Sequence, residues 1–280
     1  MSRRSYIVPG YEIAMLAARI GDLDEVKRAV KRRVVNVDVL AIEAAKYGQD
    51  EVVNYLVGLG AKNLDKIVSE AAKNGYMHLV DDLIKAGVRS YDWIAISAAE
   101  GGYMHIIDKM LELGVDNYDE IAIAAAENGY TEIVLIMVEK GAMNYDEIAL
   151  AAAESGHKDI VDEMIEKGAK EYNKIAEMAA RGGNPNIVFE MIDRGAKNYE
   201  EIAVMAAIKG HIDIVNAMVD LGAKNYNKIA IAAAEYGYLE IVVNMIRFGA
   251  INLYDVALMA DRHRQFGVGD RVREIERNGH

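Results

Sequence analysis

The 280-residue sequence predicts an all-α fold, a right-handed-type solenoid of stacked helix-turn-helix repeats, and three observations carry that expectation. Units of 27 residues begin at Pro9, Asn36, Asn63, Ser90, Asn117, Asn144, Glu171, Asn198 and Asn225 with no insertion between them. Every unit contains two short apolar stretches of helical spacing. The first stretch is closed by Gly in each, from Gly21 to Gly237. A period of about 20 to 50 residues marks an array in which each unit buries its apolar face against its neighbours.

The fifth unit, NYDEIAIAAAENGYTEIVLIMVEKGAM, shows how each element arises. Asn117 is expected to cap the first helix with its side-chain oxygen. Glu120 stands three residues on, as in a capping box, and Asp119 adds negative charge at the positive helix end. Ile121, Ala122, Ala125 and Ala126 form one apolar face, and Gly129 supplies the left-handed residue that ends the helix. Ile133, Val134, Met137 and Val138 repeat the spacing in a second helix, which Gly141 closes. The paired alanines, from Ala17 and Ala18 to Ala233 and Ala234, let helices of adjacent units approach closely. At Gly129 a β-carbon should cost more than about 1 kcal/mol.

The two ends depart from this pattern. Residues 1–8 read as a basic leader carrying Arg3 and Arg4, expected to be disordered. Residues 9–251 hold the nine units. Residues 9–35 read as an N-terminal cap, because Lys27, Arg28, Lys31, Arg32 and Arg33 charge the second helix, with Arg33 where later units have Gly. Residues 252–280 read as a degenerate capping repeat. There YDVALMA persists, Asp261 replaces the second Ala, RHRQFGVG lengthens the turn and DRVREIERNGH makes a charged final helix.

The formal net charge of -12 disfavours nucleic acid and anionic membranes, and favours partners with basic or apolar surfaces. The absence of cysteine removes disulfides, thiolate metal sites and cysteine nucleophiles. Neither a signal peptide nor a membrane span is legible, so a soluble intracellular protein is expected, with the cytoplasm as default and the nucleus left open.

Read from Ile121, the unit gives I-A-x-A-A-A-x-x-G-Y-x-x-I-V-x-x-M-V-x-x-G-A, which resembles the helical part of the ankyrin repeat. G-H itself stands at Gly156-His157 and Gly210-His211. The resemblance covers residues 9 to about 260, with two departures from the family's 33-residue unit. The T-P-L-H opening is absent. Only five residues separate Gly141-Ala142 from Ile148, too few for a β-hairpin finger. The resemblance implies a concave protein-binding surface made of helix faces alone, and shortened arrays of this kind resemble those of large DNA viruses, which would place the chain in an infected host cell.

Two ladders recur. Tyr91, Tyr118, Tyr145, Tyr172, Tyr199 and Tyr226 stand second in successive units and are expected to cover the start of the first helix, with the hydroxyl reaching the next unit. A base-stacking platform would need a basic surround that this chain lacks. Met110, Met137, Met164, Met191, Met218 and Met245 are expected in the core. His78 and His105 occupy equivalent positions in adjacent units, but helices stacked about 8 to 10 Å apart do not converge on one zinc ion. His157 and His211 are expected to cap the second helix. No phosphate loop, nucleophile elbow or catalytic triad is present, so an enzyme, a cofactor and a metal are not expected.

Departures at surface positions of the first helix carry the functional information. Trp93, the single Trp, is fourth in its unit. Four residues on, Ser97, Ala124 and Ala151 are small enough to floor a groove, followed in the same column by Met178 and Met205. The column Arg19, Lys46, Lys73 changes sign to Glu100, Glu127 and Glu154 and returns to Arg181. A concave face around Trp93, Glu120, Glu127, Glu147 and Glu154 is therefore expected to bind a protein segment with basic and apolar residues, Trp93 being the anchor. The alternatives are a Trp93 packed against its neighbours, and an architectural chain that assembles with copies of itself. A monomer is expected, with a homo-oligomer as the second possibility.

Overall fold

The computed structural model describes residues 9–278, so the leader at residues 1–8 lies outside the described residues. The chain divides into two compact units, Met1–Met143 and Asn144–His280, and the division falls between two repeats. In the first unit the helices are α1 (Pro9–Ile20), α2 (Leu23–Lys31), α3 (Val37–Lys46), α4 (Asp50–Gly58), α5 (Leu64–Lys73), α6 (Met77–Lys85), α7 (Tyr91–Gly101), α8 (Met104–Glu112), α9 (Tyr118–Glu127) and α10 (Thr131–Lys140). In the second they are α11 (Tyr145–Ser155), α12 (Lys158–Lys167), α13 (Tyr172–Gly182), α14 (Pro185–Asp193), α15 (Tyr199–Lys209), α16 (Ile212–Asp220), α17 (Tyr226–Tyr236), α18 (Leu239–Phe248), α19 (Leu253–Arg262) and α20 (Phe266–Asn278). Among the described residues there is no strand, and the expected helix-turn-helix solenoid architecture without β-fingers is what each unit shows.

Within each unit the first helices of successive repeats lie against one another, while the second helices meet far less. The alanine pair sets this spacing: Ala71 and Ala72, Ala98 and Ala99, and Ala125 and Ala126 are all fully buried. A methyl group is the largest side chain that such an approach admits. The methionine ladder fills the space behind it, every one from Met110 to Met245 being fully buried, as its spacing predicts. Both glycine columns take positive φ, Gly129 at 78° and Gly141 at 126° among them.

The expected Asn cap is not what begins most first helices. Asn117, Asn144 and Asn198 make no side-chain cap bond, although Asn36 and Asn225 do. The residue two places on does a different task. Asp38 Oδ1 accepts from the backbone N–H of Lys62 at 2.6 Å and of Asn63 at 3.0 Å. Asp146 does the same for Lys170 and Glu171, and Asn227 for Ile251 and Asn252. In these units the third residue is thus an acceptor that satisfies the link to the next repeat, where a longer unit would carry a hairpin. The tyrosine ladder is half-buried throughout. Tyr118 and Tyr226 lie beside Gly141 and Gly249 at the end of their own second helix, a contact different from the expected reach into the next unit.

At the N-terminus the second helix is charged as expected, but the first exposes Ile13, Leu16 and Ile20, so this end is only half polar. Arg33 holds φ at 54° in the column where other units have Gly. A left-handed residue with a β-carbon is strained, so Arg33→Gly should gain about 0.5 to 1 kcal/mol, read as a raised urea midpoint. The C-terminal turn does not lengthen. Phe266 to Gly269, expected in the turn, form the start of α20, because Val268 and Val272 one helical turn apart both bury against the preceding helices. Asp261, in place of the second Ala, pairs with Arg273 of α20 at 2.7 Å. The Asp261 and Asp270 carboxylates hold the Arg273 guanidinium above its ordinary range.

Candidate protein-binding face

Position four of every repeat is exposed and position eleven exposed or half-buried, while position eight is buried in Ser97, Ala124 and Ala232. Ile94, Ala95, Ala98 and Ala99 pull one side of α7 fully into the core, which turns Trp93 outward. Trp93 is 64% exposed, which excludes the alternative of a ring packed against its neighbours. It stands at a groove of about 450 Å³ that it shares with Ser97 and Glu100 of its own helix. Lys66, Ser69, Glu70 and Lys73 of α5, Asn74 just after it, and Lys46 of α3 complete the lining. Ser97 is buried, at 7% exposure, and forms the floor.

On α9, Glu120 and Glu127 are exposed and Ala124 is buried. The first unit therefore presents Trp93, Ser97 and Glu100 in one groove, with Glu120, Ala124 and Glu127 on the helix packed next to it. In the second unit Glu147 of α11 is exposed, while Ala151 and Glu154 of α11, Met178 of α13 and Met205 of α15 are half-buried on successive first helices. Each set keeps to the expected columns within its own unit.

The change of sign along the face is partly self-neutralised. Lys73 Nζ lies 2.9 Å from Glu100, and that carboxylate raises the lysine pKa above its ordinary value. Lys66 pairs with Glu70 at 2.9 Å, Arg19 pairs with Glu43, and in the second unit Arg181 meets Glu154 at 3.4 Å. Tyr47 gathers cations, with Arg19 5.7 Å and Lys46 5.9 Å from its ring centroid.

Lys46 and Lys73 stand in the column singled out by the sequence, whereas Lys66, Ser69 and Asn74 of the lining were not expected. A signal existed. Position seven is Ile42, Ile96, Ile123, Leu150, Val204 and Ile231 in other units, and only Ser69 and Glu177 interrupt that apolar column. Glu177 accepts from Asn198 Nδ2, and burial pushes its carboxyl above the ordinary carboxylate range. A raised carboxylate pKa means that charging it opposes folding: the contribution to stability is complete at low pH and is lost as pH rises through the folded value. Glu177→Gln should thus raise stability at pH 7 by about 0.3 kcal/mol, a small gain because solvent still screens the group. The gain should vanish below about pH 4 in urea titrations.

His211 does not cap the second helix. Its Nε2 lies 3.2 Å from the Arg181 carbonyl, at the end of the preceding unit's first helix, and its ring covers Gly183. Asn184 and Gln49 occupy the same position and donate to Ala153 and Glu154, and to Arg19. The exposed carbonyls of one repeat are thus closed by the next. His157, at the matching position in its unit, likewise makes no side-chain cap bond to α12. His78 pairs with Asp50 at 2.7 Å, and among the described residues no three His, Asp or Glu side chains converge as metal ligands. His280 lies outside the described residues. Among the described residues no helix is long and apolar enough to cross a membrane.

Residues 68–176 match the family model for ankyrin repeats, three copies. No curated protein matches the chain. Among solved structures, the crystal structure of the human ASB11 ankyrin repeat domain is similar at 18% identity and a TM-score of 0.44, over 56% of this chain and 84% of that one. The chain therefore carries ankyrin repeats within residues 68–176, and such repeats are generally protein–protein interaction modules.

Proposed function

We propose that the chain is a protein-binding scaffold of shortened ankyrin repeats, and that the first-helix face around Trp93 is where a partner protein is held. The observation that carries this is the exposed indole of Trp93 beside a floor formed by the buried Ser97, with charged groups at its rim. A large aromatic left in water costs the free protein apolar exposure that a partner can remove, and Trp is enriched among the residues that dominate binding. Glu120 and Glu127 suit a partner with basic residues. Glu147, Ala151, Glu154, Met178 and Met205 would extend the same mode of contact on the second unit. The 27-residue period supports the shortened variant, like the arrays of large DNA viruses that the sequence resembles, and a soluble protein in the cytoplasm of a host cell fits that reading.

Partners captured from the native cell, then purified and titrated against the chain, provide the test. Trp93→Ala should weaken affinity by about 2 kcal/mol, or roughly thirtyfold. A partner bound at full affinity by the variant would remove Trp93 as the anchor.

A further inference from the structure

The groove beside Trp93 carries a charge pattern that an apolar anchor alone does not use. Lys46 lines it from α3, over Tyr47, and makes no carboxylate pair among the described residues. On the opposite side, Glu120 and Glu127 of α9 are exposed and likewise make no ion pair among the described residues. Between them, Lys73 and Glu100 neutralise each other at 2.9 Å. The face of the first unit is thus positive at one end, neutral beside the indole and negative at the other.

We propose that its occupant is an extended segment of a partner protein with charges at both ends: an acidic residue at Lys46, an apolar residue over Trp93 and a basic residue at Glu120 and Glu127. This rests on the reading of the Trp93 face as the protein-binding surface and adds the acidic end. Helices stack about 10 Å apart, so the three steps from α3 to α9 span roughly 30 Å. A strand-like chain rises about 3.3 Å per residue, which makes the segment about nine residues long. A purely basic segment would meet Lys46 as a like charge, and a nucleic acid would meet Glu120 and Glu127 in the same way. A bipolar segment satisfies both ends, and the order of the charges fixes its direction along the repeats.

Random nonapeptides displayed on phage and selected on the full-length chain test the assignment, with synthetic copies of the selected peptides titrated by Trp93 fluorescence. Trp93 is the single Trp of the chain, so its emission reports occupancy of this groove. Selected peptides should carry an acidic and a basic residue at opposite ends and should shift the emission. Lys46→Glu, at an exposed site, should weaken them roughly threefold to fivefold and, on reselection, remove the acidic residue while keeping the basic one. Glu127→Lys should do the converse. Selection of peptides with basic residues only, bound equally by Lys46→Glu, would overturn the bipolar segment and leave the Trp93 face standing. Peptides that bind without changing Trp93 emission, and bind Trp93→Ala equally well, would overturn both. An absence of any enrichment would overturn the extended segment as the occupant.

Discussion

Replacing Ala98 with Leu is expected to cost about 3 kcal/mol, the upper part of the range for overpacking a core. Ala98 is fully buried, as is Ala99, where α7 lies between α5 and α9. Three added carbons find no free space there, because the site is fully buried between two packed helices. The helices must separate, and separation also withdraws Ile94 and Ile121 from their neighbours. In a repeat stack the nearest-neighbour interface carries much of the stability, so the loss should appear as a lower urea midpoint and a shallower transition. Glu127→Leu, exposed on the same layer of helices, should stay within about 0.5 kcal/mol. Equal effects from the two variants would mean that the alanine pair does not set the spacing.

Gly102→Ala should cost about 2 kcal/mol through two separable causes. Gly102 has φ at 81°, where a β-carbon is strained by about 1 kcal/mol. That carbon would also stand 2.7 Å from Cζ of Tyr130, whose ring lies across the turn from the next repeat. Gln takes the place of this Tyr at Gln49 and Gln265, and a thinner, more flexible side chain can yield. In the Tyr130→Gln background the substitution should therefore lose only the backbone share, about 1 kcal/mol, when both are measured by chemical denaturation. A cost unchanged by Tyr130→Gln would assign the whole effect to φ.

The architecture was legible because every structural device recurs at one spacing. Position alone told which residues lie in the core: Met137 and the Ala125-Ala126 pair are buried where their period puts them. Contacts between repeats were less legible. Asn117 and Asp119 are both competent acceptors near a helix start, and the sequence does not say which of them meets a backbone N–H some 24 residues away. The same holds for His211, which stands next to the helix it was expected to cap but serves one from the previous repeat. Gly267 and Gly269 suggested a turn because glycine interrupts helices, and the burial of Val268 and Val272 outweighed it. At the candidate face, Trp93 and its glutamates could be picked out as departures from the repeat. Lys46 and Lys73 were legible as a column of positive charge, but only folding shows that they line one groove with the indole.

The acceptor at the third position has a consequence for how such a chain can grow. Asp38 ties down Lys62, the last residue of its own 27-residue unit, together with Asn63, the first of the following one. The units of Asp38, Asp119, Asp146, Asn173, Glu200 and Asn227 thus bring the clasp for their own exit, and for that link ask of the successor at most a backbone N–H, which any residue except proline supplies. A copied cassette inserted between two others brings this link with it. Lengthening by duplication would then cost little in stability, and the number of repeats could drift while the surface of each diverges to suit a new guest.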